Sequence, residues 1–109
     1  MILNVNKEDS YTIKELGLEG VIRYRSKTIS NYDFTSKQYR SITASYDTIE
    51  GFSPVPIQVA CSSHSAIRVF NFYINDGKII IEAINENDSS IKSANFTIYL
   101  LYVKKELLN

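Results

Sequence analysis

The sequence is poor in the residues that usually carry chemistry. It contains one cysteine, Cys61, one histidine, His64, and no tryptophan. A single cysteine excludes an intrachain disulfide, and a structural zinc site needs about four ligands, mostly Cys and His. Nucleophilic catalysis by a Ser–His or Cys–His pair would have to use His64. We therefore expect no catalytic residues, no metal site and no cofactor, and we predict that the protein is not an enzyme.

Net charge and long apolar runs are missing as well. Lys and Arg number 12, Asp and Glu number 12, and the formal net charge is zero. Proteins that bind nucleic acid usually have a basic surface, so this balance disfavours a nucleic-acid partner. No run approaches the roughly eighteen apolar residues of a transmembrane helix, and residues 1–7 lack the pattern of a signal peptide. We predict no membrane span.

What the sequence does have is a series of strand patterns. Hydrophobic residues make up 44%, with eight Tyr and five Phe, and aromatic and β-branched residues favour strands. The predicted strands cover residues 21–29, 38–48, 55–61, 67–74, 79–84 and 93–103. We expect one all-β domain, an antiparallel β-sandwich of jelly-roll type, over residues 20–109. Residues 1–19 are predicted to form an N-terminal arm, an edge strand or one helical turn ending at Gly17.

The clearest turn lies between two of these strands. Asn75-Asp76-Gly77 separates two apolar segments and predicts a tight β-hairpin.

In the strand before this turn, simple alternation predicts two faces. One face carries Phe70, Phe72 and Ile74, and the other carries Ile67, Val69 and Tyr73.

The last strand is apolar on both faces. One face is apolar throughout and is predicted to be core: Ala94, Phe96, Ile98, Leu100 and Tyr102. The other face begins polar and ends with Tyr99, Leu101 and Val103. A sandwich core covers only one face of a strand, so we predict that these three residues contact another subunit. The intramolecular alternative is that residues 1–19 fold over them.

Residues 23–40 interleave basic and aromatic side chains. Such a stretch can stack on sugars or on single-stranded nucleic acid, or it can be an ordinary solvated sheet face. The zero net charge disfavours nucleic acid. The residues that we assign to a saccharide contact are Tyr24, Tyr32, Tyr39 and Arg40.

The remaining polar residues carry no motif. His64 lies in a Ser-rich turn and is predicted to be solvated, and Cys61 is predicted to pack as a small apolar residue. Glu86 and Asp88 lie in a polar turn that lacks the calcium-loop pattern. The acidic residues are scattered, although a sandwich can bring distant ones together, so a small hydrolase is kept as the second alternative function.

The second half of the chain resembles a known group of domains. The segment Gly51-Phe52-Ser53-Pro54-Val55-Pro56-Ile57 leads into a strand. The chain then closes on Tyr99-Leu100-Leu101-Tyr102-Val103-Lys104. This order resembles small β-sandwich domains in tail fibre, baseplate and minor structural proteins of phages that infect Gram-positive bacteria.

The resemblance implies a structural or adhesive module of a virion or tail assembly, made in the host cytoplasm without a signal peptide. Such domains are commonly homotrimers, and some bind host-surface saccharides. We therefore expect a homo-oligomer, with a trimer as first choice and a dimer as second. The first alternative is a carbohydrate-binding module of a secreted or cell-wall protein.

Overall fold

The computed structural model describes residue 17 and residues 20–107, and these form two stacked sheets. Sheet I has the strand order β1-β6-β3, sheet II has the order β2-β5-β4, and all pairs are antiparallel. A short 3-10 helix, Lys105–Leu107, follows β6. The strands are β1 (Ile22–Phe34), β2 (Tyr39–Ala44), β3 (Phe52–Cys61), β4 (Ile67–Asn75), β5 (Lys78–Asn85) and β6 (Ile91–Lys104). The predicted antiparallel β-sandwich is confirmed, and the predicted arm over residues 1–19 lies, except for Gly17, outside the described residues.

The core lies between the two sheets and is built on their central strands. On β6, the alternating residues Ala94, Phe96, Ile98, Leu100 and Tyr102 are all buried, as their spacing predicts. On β5, Ile79, Ile81 and Ala83 are fully buried opposite them. Because side chains alternate between the faces of a strand, the residues between these point away from the core.

Strand β1 is longer than its sequence pattern predicts. Residues 31–36 look like a polar connection, yet pairing with β6 continues through Tyr32 and Phe34 after a register shift. Asn31 lies in this irregularity with φ +70°, a conformation that Asn tolerates better than most residues. The bulge accommodates the polar residues and lets Phe34 enter the core.

A second bulge changes the faces of β4. Pairing with β5 shifts between Val69 and Asn71, so Phe70 is an extra residue in β4. Ile67 is buried and Val69, Phe72 and Ile74 pack against the core, whereas Phe70 and Tyr73 are exposed. Simple alternation, which grouped Phe70 with Phe72 and Ile67 with Tyr73, is wrong here because a bulge inverts the alternation beyond it.

The predicted hairpin between β4 and β5 is confirmed. Asn75 pairs with Lys78, which leaves Asp76 and Gly77 as the two turn residues. Their φ angles are +51° and +73°. Positive φ at both central residues is the conformation of a type I′ turn, whose twist matches that of the flanking strands.

Replacing Gly77 with Val should lower the free energy of unfolding by at least about 1–2 kcal/mol, because an L-residue is strained at positive φ. No atom lies within 4 Å of the position that a Cβ would take, so the loss measures backbone strain and not a clash. Urea denaturation gives the value. Gly77→Asn is the control and should retain most of the stability, since Asn tolerates this conformation; equal losses in both variants would contradict the assignment.

Three connections between strands are held by buried polar side chains. The Asn85 side chain is fully buried. Its amide nitrogen donates to the carbonyl oxygens of Thr35 (2.9 Å) and Ser89 (3.0 Å), and its side-chain oxygen accepts from the backbone N–H of Asn87 (3.0 Å). Asn85 thereby joins the β1–β2 turn to the β5–β6 turn.

The loop between β2 and β3 is held by Tyr102. Its hydroxyl donates to the carbonyl oxygen of Asp47 at 2.6 Å. Burial, followed by the negative charge of Asp47, raises the pKa of the Tyr102 phenol above its usual value. The hydroxyl therefore stays protonated and able to donate throughout the physiological pH range.

Candidate functional site

The outer face of sheet I is the first candidate surface. It consists of four rungs across the three strands, each with one residue from β1, β6 and β3. The rungs are Ile22, Val103 and Ser53; Tyr24, Leu101 and Val55; Ser26, Tyr99 and Gln58; and Thr28, Thr97 and Ala60. We call these twelve residues the sheet I face; one half of it is mainly apolar.

The apolar half of this face includes well-exposed side chains. Tyr24 is 44% exposed and Val55 is 37% exposed, and Ile57, in the neighbouring bulge of β3, is 46% exposed. The Tyr24 and Tyr99 rings stack, with centroids 6.2 Å apart and planes 19° from parallel. The predicted interface residues Tyr99, Leu101 and Val103 lie at the centre of this patch, half-buried by their neighbours.

The sheet I face carries no charged side chain on any of its four rungs. The basic residues of β1 lie on the opposite side of the sheet. There the Arg23 guanidinium lies 4.5 Å from the centroid of the Phe52 ring, and Lys27 Nζ donates to the carbonyl (2.8 Å) and hydroxyl (3.1 Å) oxygens of Ser45. The charges of β1 are therefore directed away from the sheet I face.

The outer face of sheet II is the second candidate surface and is different in composition. Its aromatic residues Tyr39, Phe70 and Tyr73 are 50%, 45% and 40% exposed. The Tyr39 and Phe70 rings pack at 5.6 Å between centroids with a tilt of 36°. Glu82 lies on the central strand and pairs with Ser41 and Asn71. Along the strand direction, it lies between the Tyr39–Phe70 pair and Tyr73. We call Tyr39, Phe70, Tyr73 and Glu82 the sheet II cluster.

The electrostatics of the sheet II cluster are set by Glu82. Partial desolvation, then the negative charge of Glu82, raise the pKa of the Tyr39 phenol, and Tyr73 and a hydrogen bond to Glu82 add to the effect. The raised pKa keeps the hydroxyl protonated. At the rim, Arg68 Nε lies 3.0 Å from Glu86 Oε1, and the Arg68 guanidinium lies 5.9 Å from the centroid of Phe70.

The four residues predicted to contact a saccharide do not form one site. Tyr24 lies on the sheet I face, and Tyr39 lies on the outer face of sheet II. Tyr32 and Arg40 lie together at the edge of the core: the Tyr32 ring packs edge-on against Phe96, and the Arg40 guanidinium lies 5.6 Å from the Tyr32 centroid. Arg40 Nη1 also donates to the carbonyl oxygen of Asp33 at 2.7 Å.

Of these four residues, only Tyr39 belongs to the sheet II cluster, and sequence reasoning did not identify its neighbours there. Phe70, Tyr73 and Glu82 come from strands distant from Tyr39 in sequence. Phe70 was assigned to the same face as Phe72, but the bulge in β4 separates them: Phe70 stays outward and Phe72 packs against the core. The sequence signal that could have revealed these faces is the alternation of apolar residues in β4, provided that one extra residue is allowed within it.

The sole histidine lies in a hydrogen-bonded turn. Ser63 Oγ lies 2.8 Å from His64 Nδ1, 3.7 Å from Cys61 Sγ, and 2.9 Å from the backbone nitrogen of Asn95, from which it accepts. Cys61 packs against the core. Ser63 thus joins the end of β3 to β6. A Ser–His contact between adjacent residues does not by itself position a substrate, and the arrangement is that of a turn.

The acidic turn after β5 is occupied by ion pairs. Glu86 pairs with Arg68, and Asp88 Oδ1 lies 3.5 Å from Lys37 Nζ. Across the described part of the chain, no group of three or more His, Cys, Asp or Glu residues is placed to hold a metal ion. In the same residues, no helix is long and apolar enough to cross a bilayer.

The molecule thus presents two different outer faces, an uncharged one on sheet I and an aromatic one with a carboxylate on sheet II. The first suits contact with an apolar protein surface. The second suits a ligand that has both apolar faces and hydrogen-bonding groups. No family model, curated protein or solved structure matches this chain.

Proposed function

We propose that this protein is a non-enzymatic structural and adhesive module of a phage tail or virion assembly, and that it assembles with copies of itself through the sheet I face. The observation that carries the self-association is the absence of charge over the four rungs of that face, together with its exposed apolar half. Depletion of charged residues around aromatic and aliphatic ones is the composition of a buried interface core.

An uncharged face is also self-complementary. A surface that meets its own copy places like groups near like groups, so a net charge on it would repel the partner. Leu101, near the C-terminal end of the middle strand, is flanked by Tyr24 and Val55. These three side chains form the apolar centre that a second copy would cover, and polar Ser26, Thr28 and Thr97 lie towards the opposite end.

The assignment to a tail or virion assembly rests on the resemblance of two segments. In the structure these segments are neighbours: β3 pairs with β6, with Phe52 opposite Lys104 and Val55 opposite Leu101. Both segments contribute to the sheet I face. A homotrimer is the first choice on this resemblance, and a homodimer is the second because two-fold assemblies are the commonest.

Two alternatives predict a monomer. In the first, residues 1–19 cover the sheet I face within one chain. In the second, the protein is a carbohydrate-binding module of a secreted or cell-wall protein. The aromatic residues of the sheet II cluster favour saccharide binding, which a self-associating module could also perform.

The test is Leu101→Asp, measured by size exclusion with light scattering at a chain concentration of roughly 100 µM, in the range of moderate affinities. The wild type should elute with the mass of a trimer or dimer. The variant should elute as a folded monomer, because each copy would bury an unpaired carboxylate. A wild type that is already monomeric at this concentration refutes the proposal.

A matched control comes from the other sheet. Ile80 occupies the corresponding place on the outer face of the central strand of sheet II, paired with Thr43 and Tyr73, so Ile80→Asp should leave the mass unchanged. Dissociation by both substitutions would contradict a role for the sheet I face. Val55→Lys, on an exposed edge-strand position, repeats the test without altering the central strand, and circular dichroism confirms folding of each variant.

A further inference from the structure

We propose that the sheet II cluster binds a neutral oligosaccharide, with successive sugar rings lying along Tyr39, Phe70 and Tyr73 and sugar hydroxyl groups hydrogen-bonded to Glu82. Three large aromatic side chains, each at least 40% exposed, share this one small face. Solitary exposed aromatic residues are normal, but a group of them on a folded surface marks an interaction site.

The backbone presents these rings together. Phe70 points outward, beside the Tyr39 ring that reaches it across the central strand. Because of the extra residue in β4, Asn71 and Tyr73 lie on this outer side as well. The regular pleat of a sheet holds such side chains on a rigid base, so little conformational entropy is lost when a ligand binds.

The polar groups around the rings match the hydroxyl groups of a sugar. The Glu82 carboxylate accepts hydrogen bonds, and the exposed Asn71 side chain, on the same rung, both donates and accepts. Ser41, on the other side of Glu82, offers a hydroxyl. A hydroxyl group can satisfy both kinds of partner, whereas an ion of either sign satisfies only one.

The charges of this surface favour a neutral ligand over an ionic one. Desolvation and then the negative charge of Glu82 raise the pKa of the Tyr39 phenol, and the same charge would repel an anion such as a nucleic-acid phosphate. A cation would compete with the Arg68 guanidinium, which already lies 5.9 Å from the Phe70 centroid and pairs with Glu86. A polyhydroxylated, uncharged ring meets neither obstacle.

The location also fits the proposed assembly without depending on it. The two outer faces of a sandwich point in opposite directions, so copies that meet through sheet I leave each sheet II cluster open. Several weak sites on one assembly would bind a polymeric surface with increased avidity. The gain in avidity rests on the proposed function, whereas the binding site of a single chain does not.

The experiment is an NMR titration of the ¹⁵N-labelled full chain with three soluble oligosaccharides: maltohexaose, cellohexaose and the β-1,4-linked tetramer of N-acetylglucosamine. At least one should shift the amide signals of β2, β4 and β5. Tyr39→Ala and Tyr73→Ala should each weaken that binding about tenfold, since each removes one aromatic contact. Glu82→Gln, which keeps the side-chain shape, should weaken it less and report the contribution of the charge.

Tyr24→Ala is the matched control, because Tyr24 is similarly exposed but lies on sheet I; it should bind the saccharide as the wild type does. Leu101→Asp should also bind normally, which separates this inference from self-association. Lack of binding to all three sugars, equal loss in Tyr24→Ala, or amide shifts with choline chloride alone would each overturn the proposal. The last result would assign the cluster to an organic cation.

Discussion

Replacing Phe96 with Ala should lower the free energy of unfolding by about 3–5 kcal/mol, the usual loss when a buried Phe is truncated. Phe96 is fully buried on the central strand of sheet I. Its ring contacts Tyr32 edge-on at 5.9 Å and Phe34 at 6.2 Å between centroids. Ala would leave a cavity that these rigid neighbours cannot fill.

The loss is large compared with the stability of a small domain, about 5–15 kcal/mol. Urea denaturation should therefore show a much lower midpoint, or an unfolded chain at room temperature. All variants must be compared at one chain concentration, because association stabilises the folded state by mass action. Phe70→Ala is the matched control: the same side chain is removed from a position that is 45% exposed. Similar losses at both positions would mean that the register of β6 is wrong.

Replacing Asn85 with Ala should lower the free energy of unfolding by about 2–4 kcal/mol, from three lost hydrogen bonds at roughly 1 kcal/mol each and the cost of leaving former partners buried without them. The side chain is fully buried and bonds to Thr35, Ser89 and Asn87. Without it, the Ser89 carbonyl oxygen loses this donor, and the Thr35 carbonyl oxygen keeps the backbone N–H of Gln38. The two turns that it joins should then become more mobile.

The measurement combines urea denaturation with amide hydrogen exchange. Exchange should accelerate first in the β1–β2 and β5–β6 turns. Asn87→Ala is the control: Asn87 is exposed and contributes its backbone N–H to Asn85, which Ala retains, so its effect should stay within about 0.5 kcal/mol. A loss of that small size for Asn85→Ala would show that water replaces the side chain in the turn.

The two faces of the sandwich divide the proposed function between them. In this proposal the uncharged sheet I face would serve assembly, and the aromatic sheet II cluster would serve ligand binding. Each has a variant that should impair one property and leave the other intact, Leu101→Asp for assembly and Tyr39→Ala for saccharide binding. The two proposals can therefore fail independently.

Local sequence signals were sufficient where neighbouring residues determine the conformation. The unbroken alternation from Ala94 to Tyr102 predicted both the buried face of β6 and the outward position of Tyr99, Leu101 and Val103. The Asp76-Gly77 turn was equally clear, because few residues adopt positive φ in succession. These features require no knowledge of distant strands.

The tertiary structure alone decided which residues from different strands share a face. The bulges at Asn31 and Phe70 shift the register by one residue. They form because the shifted register packs more favourably against the partner strands and the core. The pairing of strands brings Tyr24 and Val55 beside Leu101, and Glu82 beside Tyr39. Burial of Asn85 likewise depends on the β1–β2 turn, 50 residues away at Thr35, and no local pattern distinguishes Asn85 from a solvated turn residue.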